Sequence, residues 1–249
     1  LFDAEDFDKA GRFILKSAHD LDKNRIGSRV LILGQCTLSW LGSSLTAAAW
    51  ARNVLLSVTE GEYDNILQDL NRLSSEQAEF DVVVLVAWNQ RLLSDERRTV
   101  EDRIEDEMSF WKPCWDIVKK QMGARLIQIG YDFVTPGAQG YHIGGSSGGS
   151  LDLIRQMNSA LSANLPDGAF FVDLERASGE MGRQRFYNFR RYFWTKQPFS
   201  EDGTKRLAEH IVAGVRALTT GPKKVLILDL DNTLWGGVVG ELGPYDIAL

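Results

Sequence analysis

Cysteine and histidine are scarce in this sequence of 249 residues, which contains two cysteines and three histidines. Two cysteines are too few for the disulfide framework that stabilises small secreted proteins. The first residues, LFDAEDFDKAGRF, are acidic and polar, whereas a secretory signal begins with basic residues followed by an apolar run. We therefore expect a reduced, cytoplasmic protein.

Long apolar runs and an excess of basic residues are also missing. No apolar run approaches the roughly 20 residues that a helix needs to cross a bilayer. Lysine and arginine number 28 against 34 aspartates and glutamates, which gives a formal net charge of -6. Nucleic-acid binding requires a basic surface, so this charge balance argues against it. We therefore expect neither a membrane partner nor a nucleic-acid partner.

Five short apolar runs are present, and helical patterns separate them. The runs cover residues 29–34, 53–58, 81–86, 125–130 and 169–173. Continuous apolar runs are typical of strands that are buried on both faces of a parallel sheet. Helices are predicted over 44–52, 63–73, 94–122, 151–161 and 201–218, with a break or kink at Pro113. The sequence therefore predicts an α/β fold with an open, doubly wound parallel sheet of about five strands.

Two interruptions organise the chain. Residues 136–150 are rich in glycine and serine, which predicts a flexible loop that is either a connector or an active-site lid. Residues 219–222 form a helix stop and linker, and a fresh apolar strand follows at 224–228. We predict an N-terminal helical extension over 1–28, an α/β domain over 29–220 and the start of a second domain over 221–249.

The apolar run at 224–228 leads into Asp229-Leu230-Asp231-Asn232-Thr233. This Asp-x-Asp-x-Thr pattern resembles the first motif of the haloacid dehalogenase phosphatases. In an extended chain, residues two positions apart point the same way, so both carboxylates can face one phosphate. Asp229 would attack phosphorus, Asp231 would protonate the leaving oxygen, and both would contact a Mg²⁺ ion.

The longer run from Asp229 to Glu241, DLDNTLWGGVVGE, narrows the resemblance. It is similar to the FkbH-like glyceryl transferase/phosphatase family, in which this motif follows an N-terminal domain similar to the SGNH hydrolases. The resemblance implies an SGNH-like, flavodoxin-like sheet, followed by the opening strand of a second, Rossmann-like domain. The later phosphatase motifs are absent, so we expect an incomplete Mg²⁺ site and incomplete phosphatase activity.

The same resemblance implies an activity for the first domain. A glyceryl group, or a related three-carbon acyl group, would leave an acyl phosphate such as 1,3-bisphosphoglycerate and form a thioester with an enzyme cysteine. It would then pass to the phosphopantetheine thiol of an acyl carrier protein in polyketide biosynthesis. The implied partners are the acyl phosphate and the carrier protein, and the transferase domain itself needs no cofactor.

The first strand runs into Gly34-Gln35-Cys36-Thr37, where SGNH hydrolases carry Gly-Asp-Ser with the nucleophilic serine. Cys36 is therefore the predicted nucleophile, and the other three residues are predicted to contact the substrate. Backbone N–H groups of the turn are expected to lower the thiol pKa and to stabilise an oxyanion. The alternative is that Cys36 is a small buried residue. Cys114, beside Pro113 in a helix, is predicted to be structural.

Further SGNH positions have weaker counterparts. Asn89 follows the third strand, where SGNH enzymes place an oxyanion-hole asparagine, although asparagine is also common in turns. Gly61 is compared with the glycine of the second SGNH block, a match that any turn glycine would give. The Asp-x-x-His-Pro motif is missing, because residues 194–198 are WTKQP. His142, in the glycine-rich segment, is the histidine whose location suits a mobile base.

A basic cluster, RQRFYNFRR, occupies residues 183–191. Arginine suits phosphate recognition, so Arg190 and Arg191 are predicted to bind either the substrate phosphate or a carrier protein, against the alternative of a charge-balanced surface. Two other functions are left open. The domain could be an SGNH-type esterase or thioesterase that works through Cys36, or a non-catalytic module that docks a carrier protein beside the phosphatase.

Overall fold

A computed structural model describes residues 4–17, 27–94, 98–132, 149–221, 225 and 227–243 of the protein. The chain divides into two compact units, Leu1–Thr219 and Thr220–Leu249. The first unit contains the sheet and the helices that flank it. The second unit contains the Asp-x-Asp-x-Thr motif.

The first unit is built on a five-stranded, all-parallel sheet, as predicted. The strands are β1 Ser28–Gly34, β2 Leu56–Tyr63, β3 Val82–Val86, β4 Arg125–Ile129 and β5 Phe170–Val172. Their order across the sheet is β2-β1-β3-β4-β5. From β1 the chain moves outward to β2 and then returns to the other side of β1 with β3. The strand order reverses between β1 and β3, and ligands of such sheets bind in the crevice at this point.

The second strand differs from its prediction. The apolar run at 53–58 predicts a strand there, but β2 spans Leu56–Tyr63. Asn53 adopts a left-handed conformation with φ 56° and belongs to the turn that precedes the strand. Because β2 is an edge strand that pairs with β1 alone, its second half carries exposed polar residues. An edge strand can tolerate such residues, and periodicity does not detect them.

Helices connect the strands and cover both faces of the sheet. In chain order they are α1 Ala4–Ser17, α2 Leu41–Trp50, α3 Ile66–Ser75, α4 Asn89–Leu92, α5 Val100–Asp116, α6 Ser150–Asn164, α7 Leu174–Met181, α8 Arg183–Phe186, α9 Phe189–Thr195 and α10 Glu201–Thr220. A five-residue π-helix, Ile117–Gln121, directly follows α5. Pro113 lies inside α5 without ending it, so the helix does not break there, and the alternative of a kink stays a prediction. Helices α4, α7, α8 and α9 were not predicted.

Two apolar layers enclose the sheet. One layer packs β1 and β3 side chains such as Ile32 and Val84 against α2 and α10. The other packs Leu31 and Val83 against α3, α5 and α6. Each fully buried Val, Leu or Ile side chain contributes roughly 1.5–3 kcal/mol. Cys36 belongs to the first layer and Cys114 to the second.

The second unit does not contain the predicted opening strand in its described residues. Val225 and residues 227–230 form no ladder, and Val225 and Ile227 are exposed. What is described of this unit is an isolated bridge between Asp231 and Trp235 and the short helix α11, Val239–Leu242. A strand is defined by hydrogen bonds to a neighbour, and none of the described residues forms a strand beside this segment. The described helices of the chain include none that is long and apolar enough to span a bilayer.

Candidate active site

The carboxyl ends of β1 and β3 lie side by side and are joined through Gln35. Gly34, the last residue of β1, pairs with Val86, the last residue of β3. The Gln35 backbone N–H donates to the Val86 carbonyl at 3.0 Å. Its side-chain Oε1 accepts a hydrogen bond from the Trp88 backbone N–H at 2.8 Å. The predicted GQCT turn therefore lies at the switch point of the sheet.

Cys36 is buried in this turn, with 2% of its surface exposed. Burial, and then the negative charge of Asp64, raise the pKa of the thiol far above its ordinary value. The predicted lowering of this pKa is therefore wrong, and the amides on both sides of Cys36 donate to other groups. The Gln35 N–H donates to Val86, and the Thr37 N–H donates to the Lys196 carbonyl at 3.0 Å. At rest the thiol is neutral.

Residues 195–197 lie directly against the Cys36 turn. In addition to its backbone bond to Lys196, Thr37 donates its hydroxyl to the Thr195 carbonyl at 2.7 Å. Lys196 adopts a left-handed conformation that ends α9. The next residue, Gln197, stands where the SGNH motif has histidine, and only 3% of its surface is exposed. The segment that departs from the SGNH pattern thus borders the candidate nucleophile.

Three buried side-chain donors around this turn have no acceptor among the described residues. They are Gln35 Nε2, Trp88 Nε1 and Gln197 Nε2. Gln35 precedes Cys36, Trp88 is hydrogen-bonded to Gln35, and Gln197 follows the residue that holds Thr37. An unpaired buried donor costs roughly 1–3 kcal/mol, and native structures contain few of them. These three donors need an acceptor that the described residues do not supply, and the oxygen atoms of a ligand are one such acceptor.

Asn89, the predicted oxyanion residue, is the first residue of α4. Its Nδ2 donates to the Asp132 backbone carbonyl at 3.0 Å, which joins the segment after β3 to the segment after β4. Its role at an oxyanion stays a prediction. Sequence analysis missed the donors of Trp88 and Gln197, although the Gln197-Pro198 pair in the place of His-Pro was a usable signal.

Close packing explains why glycine occupies positions 34 and 61, which were predicted to belong to the site. A Cβ atom on Gly34 would lie 2.6 Å from Leu38 Cδ1. A Cβ atom on Gly61 would lie 2.2 Å from Leu33 Cδ2 and 2.7 Å from Asp69 Oδ2. Gly61 lies inside β2 and not in the turn that was expected. Both glycines allow close packing near the carboxyl end of β1.

Asp64 is a site residue that sequence analysis missed. It follows β2, and its backbone N–H donates to the Gly34 carbonyl at 3.1 Å. Its φ of 50° places it in the left-handed region, which aspartate and asparagine tolerate better than most residues. Burial raises the pKa of Asp64, and Arg91 opposes this effect. Its carboxylate is the charge that disfavours the Cys36 thiolate.

The arginines of the basic cluster differ in their partners. Arg183 pairs with the buried Asp132 at 2.9 Å, and Arg185 pairs with Asp202 at 2.7 Å. Arg191 stacks on Trp40 at 3.9 Å and contacts Glu201 at 3.4 Å, while its Nη1 is buried without an acceptor. Arg190 stacks on Trp194 at 4.8 Å. Arg183 thus anchors to a buried carboxylate, whereas Arg191 Nη1 has no acceptor among the described residues.

The phosphatase motif does not form a metal site in the described residues. Asp229 is exposed, and Asp231 Oδ1 accepts hydrogen bonds from Trp235 Nε1 at 3.0 Å and from the Val239 N–H at 3.1 Å. Within the described ranges, no three His, Cys, Asp or Glu side chains gather as metal ligands. Mg²⁺ requires octahedral oxygen coordination, so Asp229 and Asp231 alone do not fit this ion. The predicted base His142 lies outside the described residues.

Comparisons with known proteins identify the family and the fold of this chain. The family model described as "FkbH, N-terminal domain" matches residues 29–215. A search of curated proteins gave no match. A crystal structure of the N-terminal part of the protein BF1531 from Bacteroides fragilis, containing a phosphatase domain complexed with Mg, is 21% identical with a TM-score of 0.75. The alignment covers 99% of this chain and 65% of that chain, and at this identity it shows the fold.

Proposed function

The chain belongs to the FkbH family through its N-terminal domain, and from this premise we propose that the domain is a cysteine-dependent acyltransferase. It takes a glyceryl or related three-carbon acyl group from an acyl phosphate such as 1,3-bisphosphoglycerate and delivers it to the phosphopantetheine thiol of an acyl carrier protein. One observation carries the proposal: Cys36 lies at the carboxyl end of β1 among buried donors that lack acceptors.

In the first step, Cys36 Sγ attacks the carbonyl carbon of the acyl phosphate. The new S–C bond forms while the C–O bond to phosphate breaks, and phosphate leaves with the electron pair and the thiol proton. The amides of Gln35 and Gln197 and the indole N–H of Trp88 supply donors for the carbonyl oxygen as it gains negative charge. Such preorganised donors are a large source of rate enhancement in acyl transfer.

In the second step, the carrier thiol attacks the thioester carbonyl carbon. A new S–C bond forms to the carrier, the bond to Cys36 breaks, and the proton of the carrier thiol returns to Cys36. A thioester transfers its acyl group readily to another thiol, so the two steps are chemically matched.

Gln197 favours transfer over hydrolysis. A histidine at this position could take a proton from water and direct it at the thioester, but an amide has no basic atom for this purpose. This difference makes an esterase or thioesterase a poorer account of the site.

A non-catalytic module that docks a carrier protein is the second candidate function. The observation in its favour is the neutral, buried state of Cys36, which is the common state of a structural cysteine. This candidate leaves the three unpaired donors near Cys36 unexplained.

The test is intact-mass measurement after incubation with enzymatically generated 1,3-bisphosphoglycerate. We expect an adduct with the mass of a phosphoglyceryl group in the natural sequence and in Cys114→Ala, and no adduct in Cys36→Ala. Release of the adduct by hydroxylamine identifies a thioester. A protein that gains no mass but still binds a carrier protein would support the docking module.

A further inference from the structure

Helix α9, Phe189–Thr195, presents two consecutive aromatic side chains to solvent. Phe193 is 71% exposed and Trp194 is 74% exposed. None of the residues of α9 is buried. A single exposed apolar residue is ordinary, but neighbouring large aromatics on one short helix indicate a binding surface.

Two cations flank these aromatics. The Arg190 guanidinium lies over the Trp194 ring at 4.8 Å, and the Lys196 ammonium lies over the Tyr192 ring at 5.4 Å. Unlike Arg183 and Arg185, these two cations form no ion pair with a carboxylate of the described residues. We call Arg190, Phe193, Trp194 and Lys196 the α9 surface. It is locally basic on a chain whose net charge is -6.

The α9 surface is joined to the candidate nucleophile by short contacts. The carbonyls of Thr195 and Lys196 accept both hydrogen bonds of Thr37, the neighbour of Cys36. On the inner side of α9, the Tyr192 ring packs against Trp88 at 5.3 Å, and its hydroxyl donates to Gln90 Oε1 at 2.9 Å. A partner bound at this surface would therefore stand directly beside the Cys36 turn.

We propose that the α9 surface docks the acidic carrier protein that receives the acyl group. This inference rests on the proposed function, because it assigns a place to the acceptor of the second step. Stacking on Trp194 orients the Arg190 guanidinium and leaves its N–H groups for a carboxylate of the partner. Exposed tryptophan and arginine are the residues that most often dominate the energy of protein interfaces. An unpaired basic surface selects an acidic partner through charge complementarity.

The test separates loading of Cys36 from transfer to the carrier. Cys36 is first acylated with the acyl phosphate, and transfer is then measured against increasing concentrations of a purified, acidic holo acyl carrier protein. We expect Arg190→Glu and Trp194→Ala each to raise the KM for the carrier by roughly 10-fold or more, and Trp194→Ala to leave the rate of loading unchanged. Lys120→Glu and Trp50→Ala are the matched controls, a charge reversal and an exposed tryptophan elsewhere on the chain.

Each outcome decides the proposal. Unchanged transfer in both variants overturns it while leaving the proposed function intact. Slower loading in Arg190→Glu would instead assign Arg190 to the donor phosphate. Wild-type protein that dimerises through this surface, with monomeric variants, would make a second copy the occupant. If Cys36 does not load at all, the proposed function fails, and direct binding of the carrier to the variants still tests the surface.

Discussion

The carboxyl ends of β4 and β1 both carry buried polar side chains, but only those at β4 are fully paired. Asp132, which follows β4, accepts hydrogen bonds from Ser178 Oγ at 2.5 Å, Tyr187 Oη at 2.8 Å and Arg183 Nη2 at 2.9 Å. At the end of β1 and in the adjoining segments after β3 and α9, the donors of Gln35, Trp88 and Gln197 have no described acceptor. A satisfied network stabilises a fold, whereas unpaired buried donors cost stability and call for an explanation, such as a ligand or an ion that supplies the acceptor.

The two cysteines are alike in burial and in the direction of their pKa shift. Burial raises the pKa of Cys36 and raises that of Cys114 to about 12. Burial and pKa therefore do not separate a nucleophile from a core residue in this protein. The separation comes from position, because Cys36 lies at the switch point beside unpaired donors and Cys114 lies inside α5.

The largest expected effect is that of removing the Cys36 thiol. Cys36→Ala should abolish transfer of the acyl group to a carrier protein, because no thioester can form. Cys36→Ser should transfer more slowly, since an oxygen ester is less reactive toward a thiol. Transfer is followed by the mass of the carrier, with Cys114→Ala as the control that should keep most of its activity. Normal transfer by Cys36→Ala would show that Cys36 is not the nucleophile.

The second-largest effect is a loss of stability at the carboxyl end of β4. Asp132→Ala should lower the free energy of unfolding by about 3 kcal/mol, because Arg183 and the Tyr187 hydroxyl lose their buried acceptor. Chemical denaturation measures this change. Asp202→Ala, which removes the partly exposed partner of Arg185, is the control and should change stability by less than about 1 kcal/mol. Equal losses in the two variants would contradict the anchoring role of Asp132.

Around the Cys36 turn, where the donors are unpaired, we expect a small effect on stability and a large effect on acylation. Gln197→Leu removes a buried donor that has no acceptor, so it should leave stability unchanged or slightly higher. It should nevertheless slow acylation of Cys36 by about 10²–10³-fold if the amide contacts the developing oxyanion. Denaturation and the rate of adduct formation are measured on the same sample. A variant that loses stability and keeps its acylation rate would show that Gln197 is structural.

Sequence alone predicted the sheet and the position of Cys36 but not the electrostatics of the site. Apolar runs fix which segments form strands, and parallel topology then brings the strand ends together. The sign of the pKa shift of Cys36 depends on its burial and on the charge of Asp64, which the fold brings close to it. The carbonyls of Val86 and Lys196, which accept from the amides beside Cys36, are likewise far away in sequence. The role of Gln197 follows from the same long-range contacts, which no local pattern contains.

The smallest effect concerns the charge beside the thiol. Asp64 is the second cause, after burial, of the raised pKa of Cys36. Asp64→Asn removes the negative charge and keeps a residue that tolerates the observed φ of 50°. The pKa of Cys36 should therefore fall, because a nearby negative charge no longer opposes the thiolate. Burial remains, so the pKa should stay above that of an ordinary thiol.

This change is measured as the pH dependence of alkylation by iodoacetamide, with each cysteine followed by peptide mass. In Asp64→Asn, the rise in alkylation of Cys36 should shift to lower pH. Cys114, whose pKa is set by burial and Arg91, should keep its profile. Because only the thiolate reacts, a common shift at both cysteines would indicate that the variant loosens the fold and does not act through charge. A shift confined to Cys36 would show that the charge of Asp64 raises the pKa of the candidate nucleophile. Burial alone does not distinguish Cys36 from Cys114.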